Sequence, residues 1–238
     1  AIRRQRQMCI RDRSTAERRA GVVHPLKLIL DNYPEGQSEE LVCPNHPQKP
    51  EMGTRTVTMS RELWIEQEDF AEVPPKGYRR LTIPADGSPA KPVRLRNSYV
   101  IVPTSFEKDA EGNVVCVHAD YLPETKSGTA GADSVKTKAA IHWLDAKTAV
   151  PAQFRMYDRL FTVPQPDSAE DFLTVLNRDS KFVSQGFVEP NVAAAAPETR
   201  YQFERIGYFV TDIKDHSAEH PVLNLAVGLR DSWGKNAR

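Results

Sequence analysis

No stretch of this chain stays apolar for anything near the ~20 residues that a membrane-crossing helix requires. Runs such as 99–102 (YVIV) and 113–117 (NVVCV) end after a few residues, so no membrane association is expected. Cysteine is scarce, three in 238 residues, too few and too dispersed for a disulfide framework. That usage suits a reducing, cytoplasmic compartment. The arginines near the start are not followed by the apolar stretch of about 7 to 15 residues that a secretory signal carries, so export is not expected. Portable catalytic signatures are also missing. There is no Gly-rich phosphate loop, no GxSxG elbow and no HExxH helix, which excludes the enzyme classes those motifs announce. Ligand-type residues do occur at Cys43-Pro-Asn-His46, Cys116-Val-His118 and His216-Ser-Ala-Glu-His220. None of these forms the paired CxxC knuckles of a structural zinc site, so no metal is expected.

Charge is present in equal measure, 32 basic and 32 acidic residues. The balance shifts once residues 1–13 are set aside. Arg3 to Asp12 (RRQRQMCIRD) back-translates, codon for codon, into a string resembling a sequencing-library transposon adapter, and Arg13 fits its continuation. Such a segment is excluded from fold reasoning, as tags are, and is expected to be disordered. It removes five arginines, one aspartate and Cys9, leaving 27 basic against 31 acidic residues. A net charge of about −4 argues against promiscuous adhesion to nucleic acid, so any RNA contact has to come from a local basic patch.

From Val22 onward the patterns are short and β-like: LKLIL (26–30), TRTVTM (54–59), ELWI (62–65), VRLRNSYVIV (93–102) and NVVCVHADY (113–121). Residues 108–113 supply the Asp, Gly and Asn of a tight reversal, so 93–121 is expected to form a long hairpin. PNHPQKP (44–50) is too rich in proline for a central strand and is expected as an ordered loop. The small, polar segment 125–138 marks a mobile loop between two units. Further strands follow at 139–144, 153–161, 181–188, 201–210 and 221–229. One helix is expected after the capping-box pattern Ser168-Ala-Glu-Asp171, with Phe172, Val175 and Leu176 on one face. The expected class is all-β, two small β-barrels with one or two short helices.

Two segments interleave cations with an aromatic or an amide: Lys76-Gly-Tyr78-Arg79-Arg80 and Arg94-Leu-Arg96-Asn97. Arginine can grip phosphate, stack on a base or read its edge. Period-two geometry puts Arg94 and Arg96 on one strand face, with Val93 and Leu95 opposite. By the same rule Tyr201, Phe203 and Arg205 share a face, and Gln202 and Glu204 the other. On pattern alone, a solvated sheet face fits these segments better than an RNA surface does.

Longer words point further. HPLKL (24–28), NYPEG (32–36), PNHPQKPEMGTR (44–55), SRELWIEQEDF (60–70), VRLRNSYVI (93–101), AIHWLDA (140–146), YDRLF (157–161), FERIGYF (203–209) and VGLRDSW (227–233) stand in this order. Together they resemble the C-terminal anticodon-binding region of bacterial glutaminyl-tRNA synthetases. The resemblance implies two β-barrels that grip an anticodon loop, a first over 14–125, the loop 126–138, and a second over 139–238 whose C-terminal strands return to the first. It implies Arg94 beside the first anticodon base, Arg80 with Arg79 beside the third, and Arg18, Gln202 and Arg205 around the middle uridine. Gly77 departs from the family, in which a residue with a side chain commonly precedes the Tyr-basic-basic run. The family's HIGH-type and KMSKS-type signatures are absent, so this fragment is expected to be inactive alone, binding no cofactor, with ATP and Mg needed only by the full-length ligase. The implied partners are a glutamine tRNA and the missing catalytic domain, the chain being otherwise monomeric. The alternatives are a glutamyl-tRNA synthetase of the archaeal and eukaryotic type, or a free-standing β-barrel RNA-binding module.

Overall fold

A computed structural model describes residues 14–229, so the adapter-like segment 1–13 lies outside the described residues. The first sheet uses β3 (Pro25–Leu30), β6 (Glu62–Glu66), β7 (Val93–Leu95), β8 (Val100–Lys108), β9 (Val114–Leu122), β10 (Ala140–Ile141) and β11 (Leu144–Asp145). Their spatial order is β10-β7-β8-β9-β3-β6-β11. Alternation explains the core. In β3 (PLKLIL), Leu26, Leu28 and Leu30 are buried and the residues between them half-buried, and they pack with Leu63, Ile65, Leu95, Ile101 and Val117.

The second sheet is built from β1 (Glu17–Arg19), β2 (Gly21–Val22), β12 (Val150–Tyr157), β13 (Lys181–Val188), β14 (Arg200–Phe203), β15 (Gly207–Thr211) and β16 (Val222–Gly228). They run in the order β1-β14-β15-β16-β12-β13-β2. Phe154, Phe203 and Phe209 fill its centre, with ring centroids 4.9 Å apart between Phe203 and Phe209. Strands β4 (Ser38–Pro44) and β5 (Thr54–Ser60) form a separate ribbon. All-β architecture with two barrel-like sheets is the observed class.

The sheets are interlocked rather than sequential. Residues 17–22 belong to the second sheet, while β10 and β11 close the edges of the first. Strand β16 pairs with β12 and β15, within the second sheet. Chain crosses between the sheets at residues 22–25, where the buried Glu66 carboxylate accepts from the N–H groups of Val23 (2.7 Å) and His24 (3.0 Å). Gly186 permits the crossing, since a Cβ there would lie 2.0 Å from the Val22 carbonyl oxygen.

Three local expectations change. The stretch 93–102 is not one strand, because Asn97 takes φ 56° and Ser98 N–H donates to Leu95 O at 3.0 Å, turning the chain between β7 and β8. The segment 125–138 is anchored at its start, with Thr125 fully buried and Ser127 N–H donating to Ser98 O at 2.9 Å. No α-helix follows the Ser168 capping pattern; Asp171, not Ser168, caps a single 3-10 turn, Phe172–Val175, by accepting from Leu173 N–H at 2.9 Å. Phe172 and Leu173 remain exposed, so no packed face stabilises a longer helix. The α-helix α1 (Pro190–Ala193) is four residues long.

Candidate nucleic-acid interface

Three of the basic candidates, Arg79, Arg80 and Arg205, converge on one recess. Pro75, Lys76 and Gly77 lead into a turn closed by Tyr78 N–H donating to Pro75 O at 3.0 Å. Gly77 sits at φ 83°, a conformation that favours glycine, which gives the departure at this position a structural purpose. After the turn, Tyr78 Oη and Arg80 Nη1 both donate to Glu68 O, at 3.0 and 2.8 Å. The Arg80 guanidinium also lies over the Tyr78 ring, 5.6 Å from its centroid. Burial pushes the Tyr78 phenol well above its ordinary range.

Arg205 arrives from the second sheet. Strand β14 ends at Phe203, and a turn with Ile206 N–H donating to Phe203 O at 3.1 Å carries Arg205 at φ 70°. The period-two assignment of Arg205 to the Tyr201 and Phe203 face therefore fails, since the strand has already ended; Tyr201 and Phe203 are core residues, 5% and 0% exposed. Arg205 Nη1 donates to Asp69 Oδ2 at 3.0 Å and its Nη2 to Asp69 Oδ1. Asp69 Oδ1 also receives Arg80 Nη1 at 3.0 Å. Asp69 is completely buried. Burial opposes the Arg205 charge, and the Asp69 carboxylate more than compensates, holding the guanidinium above its ordinary pKa.

These groups line one open recess of about 410 Å³, walled by Lys76, Tyr78, Arg79, Arg80, Ala140 and Arg205 among others. Arg79 and Lys76 are exposed there, and neither has a charged or hydrogen-bonded partner among the described residues. Gln202 and Arg18 form a second group. They are register partners on the parallel pair β14 and β1, hence neighbours on one face, and Gln202 Oε1 is buried without a hydrogen bond. Arg18 Nη1 donates to Ala16 O at 2.8 Å.

Arg94 is used differently. Val93 and Leu95 are buried on the opposite face, as alternation requires, but the Arg94 guanidinium donates to Ser98 O (3.2 Å), Thr125 O (3.0 Å), Ser127 Oγ (3.3 Å) and Ala132 O. It clamps the loop that follows β9. Arg96, its neighbour, forms an ion pair across the sheets with Glu204. Neither Asp69 nor Glu68 was singled out from sequence. Their signal was faint, an acidic pair in EQEDF, because the partner Arg205 lies 136 positions away.

The ligand-type segments separate. Cys43 and Cys116 are buried free thiols, each pushed up to about 11 by burial. His118 is held between Asp31 (2.8 Å) and Glu107 (3.2 Å). Glu107, Cys116 and His118 bring their ligand atoms within 4.8 Å of one another, with Cys116 Sγ 3.9 Å from His118 Nε2.

Comparison with known proteins settles the family. Residues 16–122 and 140–212 match two family models, each described as the anti-codon binding domain of class I (E and Q) tRNA synthetases. The chain belongs to this anticodon-binding family. The Glutamine--tRNA ligase of Cupriavidus necator is 58% identical over 221 residues, covering 92% of this chain. That of Ralstonia nicotianae is 54% identical over the same length, and that of Vibrio parahaemolyticus 49% over 231 residues. The chain spans only 37% to 40% of these relatives' length. Among the described residues no helix is long and apolar enough to cross a membrane.

Proposed function

We propose that this chain is the anticodon-reading part of a glutamine–tRNA ligase and that its partner is a glutamine tRNA. The observation that carries this is the convergence of Arg79 and Arg80, from the loop before β7, and Arg205, from the turn after β14, around one open recess. Arginine suits the acceptor edges of the guanine that ends a glutamine anticodon. The middle uridine falls to Gln202, whose amide can both accept and donate, with its register partner Arg18 beside it and Arg205 at the turn that follows β14. Arg94 supports the first-base position by holding the 125–132 loop. The relatives at 48% to 58% identity carry the glutamine name, which favours glutamine over glutamate. ATP and magnesium belong with the catalytic part of the full-length ligase.

A titration of the full 238-residue chain with a glutamine anticodon stem-loop, and with a version whose anticodon is exchanged, tests this. Selective binding of the first is expected. Equal binding of both overturns the proposal.

A further inference from the structure

Asp69 occupies an unusual place. It is fully buried at the end of the short 3-10 turn Gln67–Asp69, yet its carboxylate is the meeting point of two arginines distant in sequence, Arg80 from the loop before β7 and Arg205 from the turn after β14. Two features show that this arrangement aims the arginines rather than merely storing them. First, Arg205 stands at φ 70°, a backbone conformation that disfavours side-chain-bearing residues. The two-pronged grip of Asp69 on Nη1 and Nη2 fixes its guanidinium in that position. Second, both arginines keep donors in reserve. Arg80 engages Asp69 and Glu68 through Nη1 alone, and its Nη2 and Nε have no partner among the described residues. Arg205 donates from Nη1 and Nη2 to Asp69, its Nη2 also reaches the exposed Glu68 carboxylate at 3.5 Å, and its Nε has no partner among the described residues. Both side chains are half-buried and open onto the recess that also holds Arg79 and Lys76.

We propose that Asp69 is a positioning residue that couples Arg80 and Arg205, so that discrimination at two neighbouring anticodon bases is set jointly by one buried carboxylate. The proposal rests on the anticodon function proposed above. Nothing in it requires Asp69 to touch RNA. A carboxylate shared by two cations fixes each against the other, and removal of its charge lets both drift from the geometry that base-edge recognition needs.

The test measures binding of the full chain, wild type and Asp69→Asn, to four stem-loops: the glutamine anticodon and versions changed singly at the first, second or third base. In Asp69→Asn, discrimination at the second and third bases is expected to fall together by about tenfold each, the scale of one lost bidentate contact. First-base discrimination should stay within about twofold, a selectivity that a merely structural defect would not produce. Loss at only one of the two bases, or a uniform loss of affinity for all four RNAs, overturns the coupling. If circular dichroism shows that Asp69→Asn does not fold, the cycle Arg80→Lys, Arg205→Lys and their combination decides instead. Discrimination losses that multiply independently to within about twofold overturn the proposal, and a departure of about fivefold or more supports it. If the wild-type chain fails to distinguish the four RNAs, the anticodon function is itself refuted and this proposal with it. Wild-type discrimination that survives in a folded Asp69→Asn refutes the positioning role alone.

Discussion

Glu189→Gln should be among the most damaging isosteric changes in this protein. The Glu189 carboxylate stands just before α1 and ties the second sheet to the β4–β5 ribbon. It accepts Arg55 Nε at 2.6 Å and Arg55 Nη2 at 2.8 Å, and also the N–H of Ala20 at 2.5 Å. The two side chains are only 12% and 4% exposed. Arg19, also buried, is already held below its ordinary pKa by burial and by Arg55, with Glu189 opposing both. An amide in place of the carboxylate would leave Arg55 with only the Pro44 carbonyl, beside Arg19, which keeps Glu17 and Asn45. Breaking one side of a buried ion pair costs about 3–5 kcal/mol. With a urea m-value of about 2–3 kcal/mol per molar for a chain of this size, the unfolding midpoint should drop by about 1–2 M. Equilibrium urea unfolding followed by tryptophan fluorescence measures this. Replacing both partners, Arg55→Met with Glu189→Leu, should recover most of the loss, because neither member of the pair is left unpaired and Arg19, which keeps Glu17 and Asn45, no longer faces the Arg55 charge. A Glu189→Gln loss below about 1 kcal/mol would place the pair among surface bridges and refute the reasoning.

Other outcomes follow from the same contacts. Arg79 is exposed and unpartnered; Arg79→Ala should change stability by no more than about 0.5 kcal/mol, while the salt dependence of RNA binding becomes shallower by about one unit of log–log slope. Arg94→Ala removes the clamp on Thr125, Ser127 and Ala132. It should destabilise the chain by about 1.5–3 kcal/mol and open residues 125–138 to limited proteolysis; unchanged cleavage rates would show that the clamp does not order the loop. His118 is pushed above its ordinary pKa, first by the hydrogen bond to Asp31 and also by that to Glu107, while partial burial pulls it down less strongly. Its stabilising contribution is therefore complete below the unfolded value of about 6.5 and fades as pH rises through the higher folded value. His118→Gln should flatten the wild-type decline in stability across that window, as read by thermal denaturation at a series of pH values.

The sequence by itself determined the strand-rich class and the identity of the basic groups. Alternation in PLKLIL and VRL fixes which side chains enter the core, since successive residues of a strand must face opposite ways. Long family words supplied Arg79, Arg80, Gln202 and Arg205 as candidates. Alternation misled at Arg205, because a turn after Phe203 ends the strand and no local pattern announces a left-handed arginine. The helix expected after Ser168 failed for a related reason: a capping signal states where a helix can start, but only a surface to pack against keeps it. Tertiary structure alone decided the interlocking. Residues 17–22 join strands from the far end of the chain, and β10 and β11 go back to the first sheet. Such pairings are sums of backbone hydrogen bonds that any sequence can make, so their partners are chosen by global packing. Tertiary structure also decided what each arginine does. Arg94 and Arg80 read alike in the chain, yet one is spent on loop carbonyls and the other is held by a buried carboxylate beside an open recess.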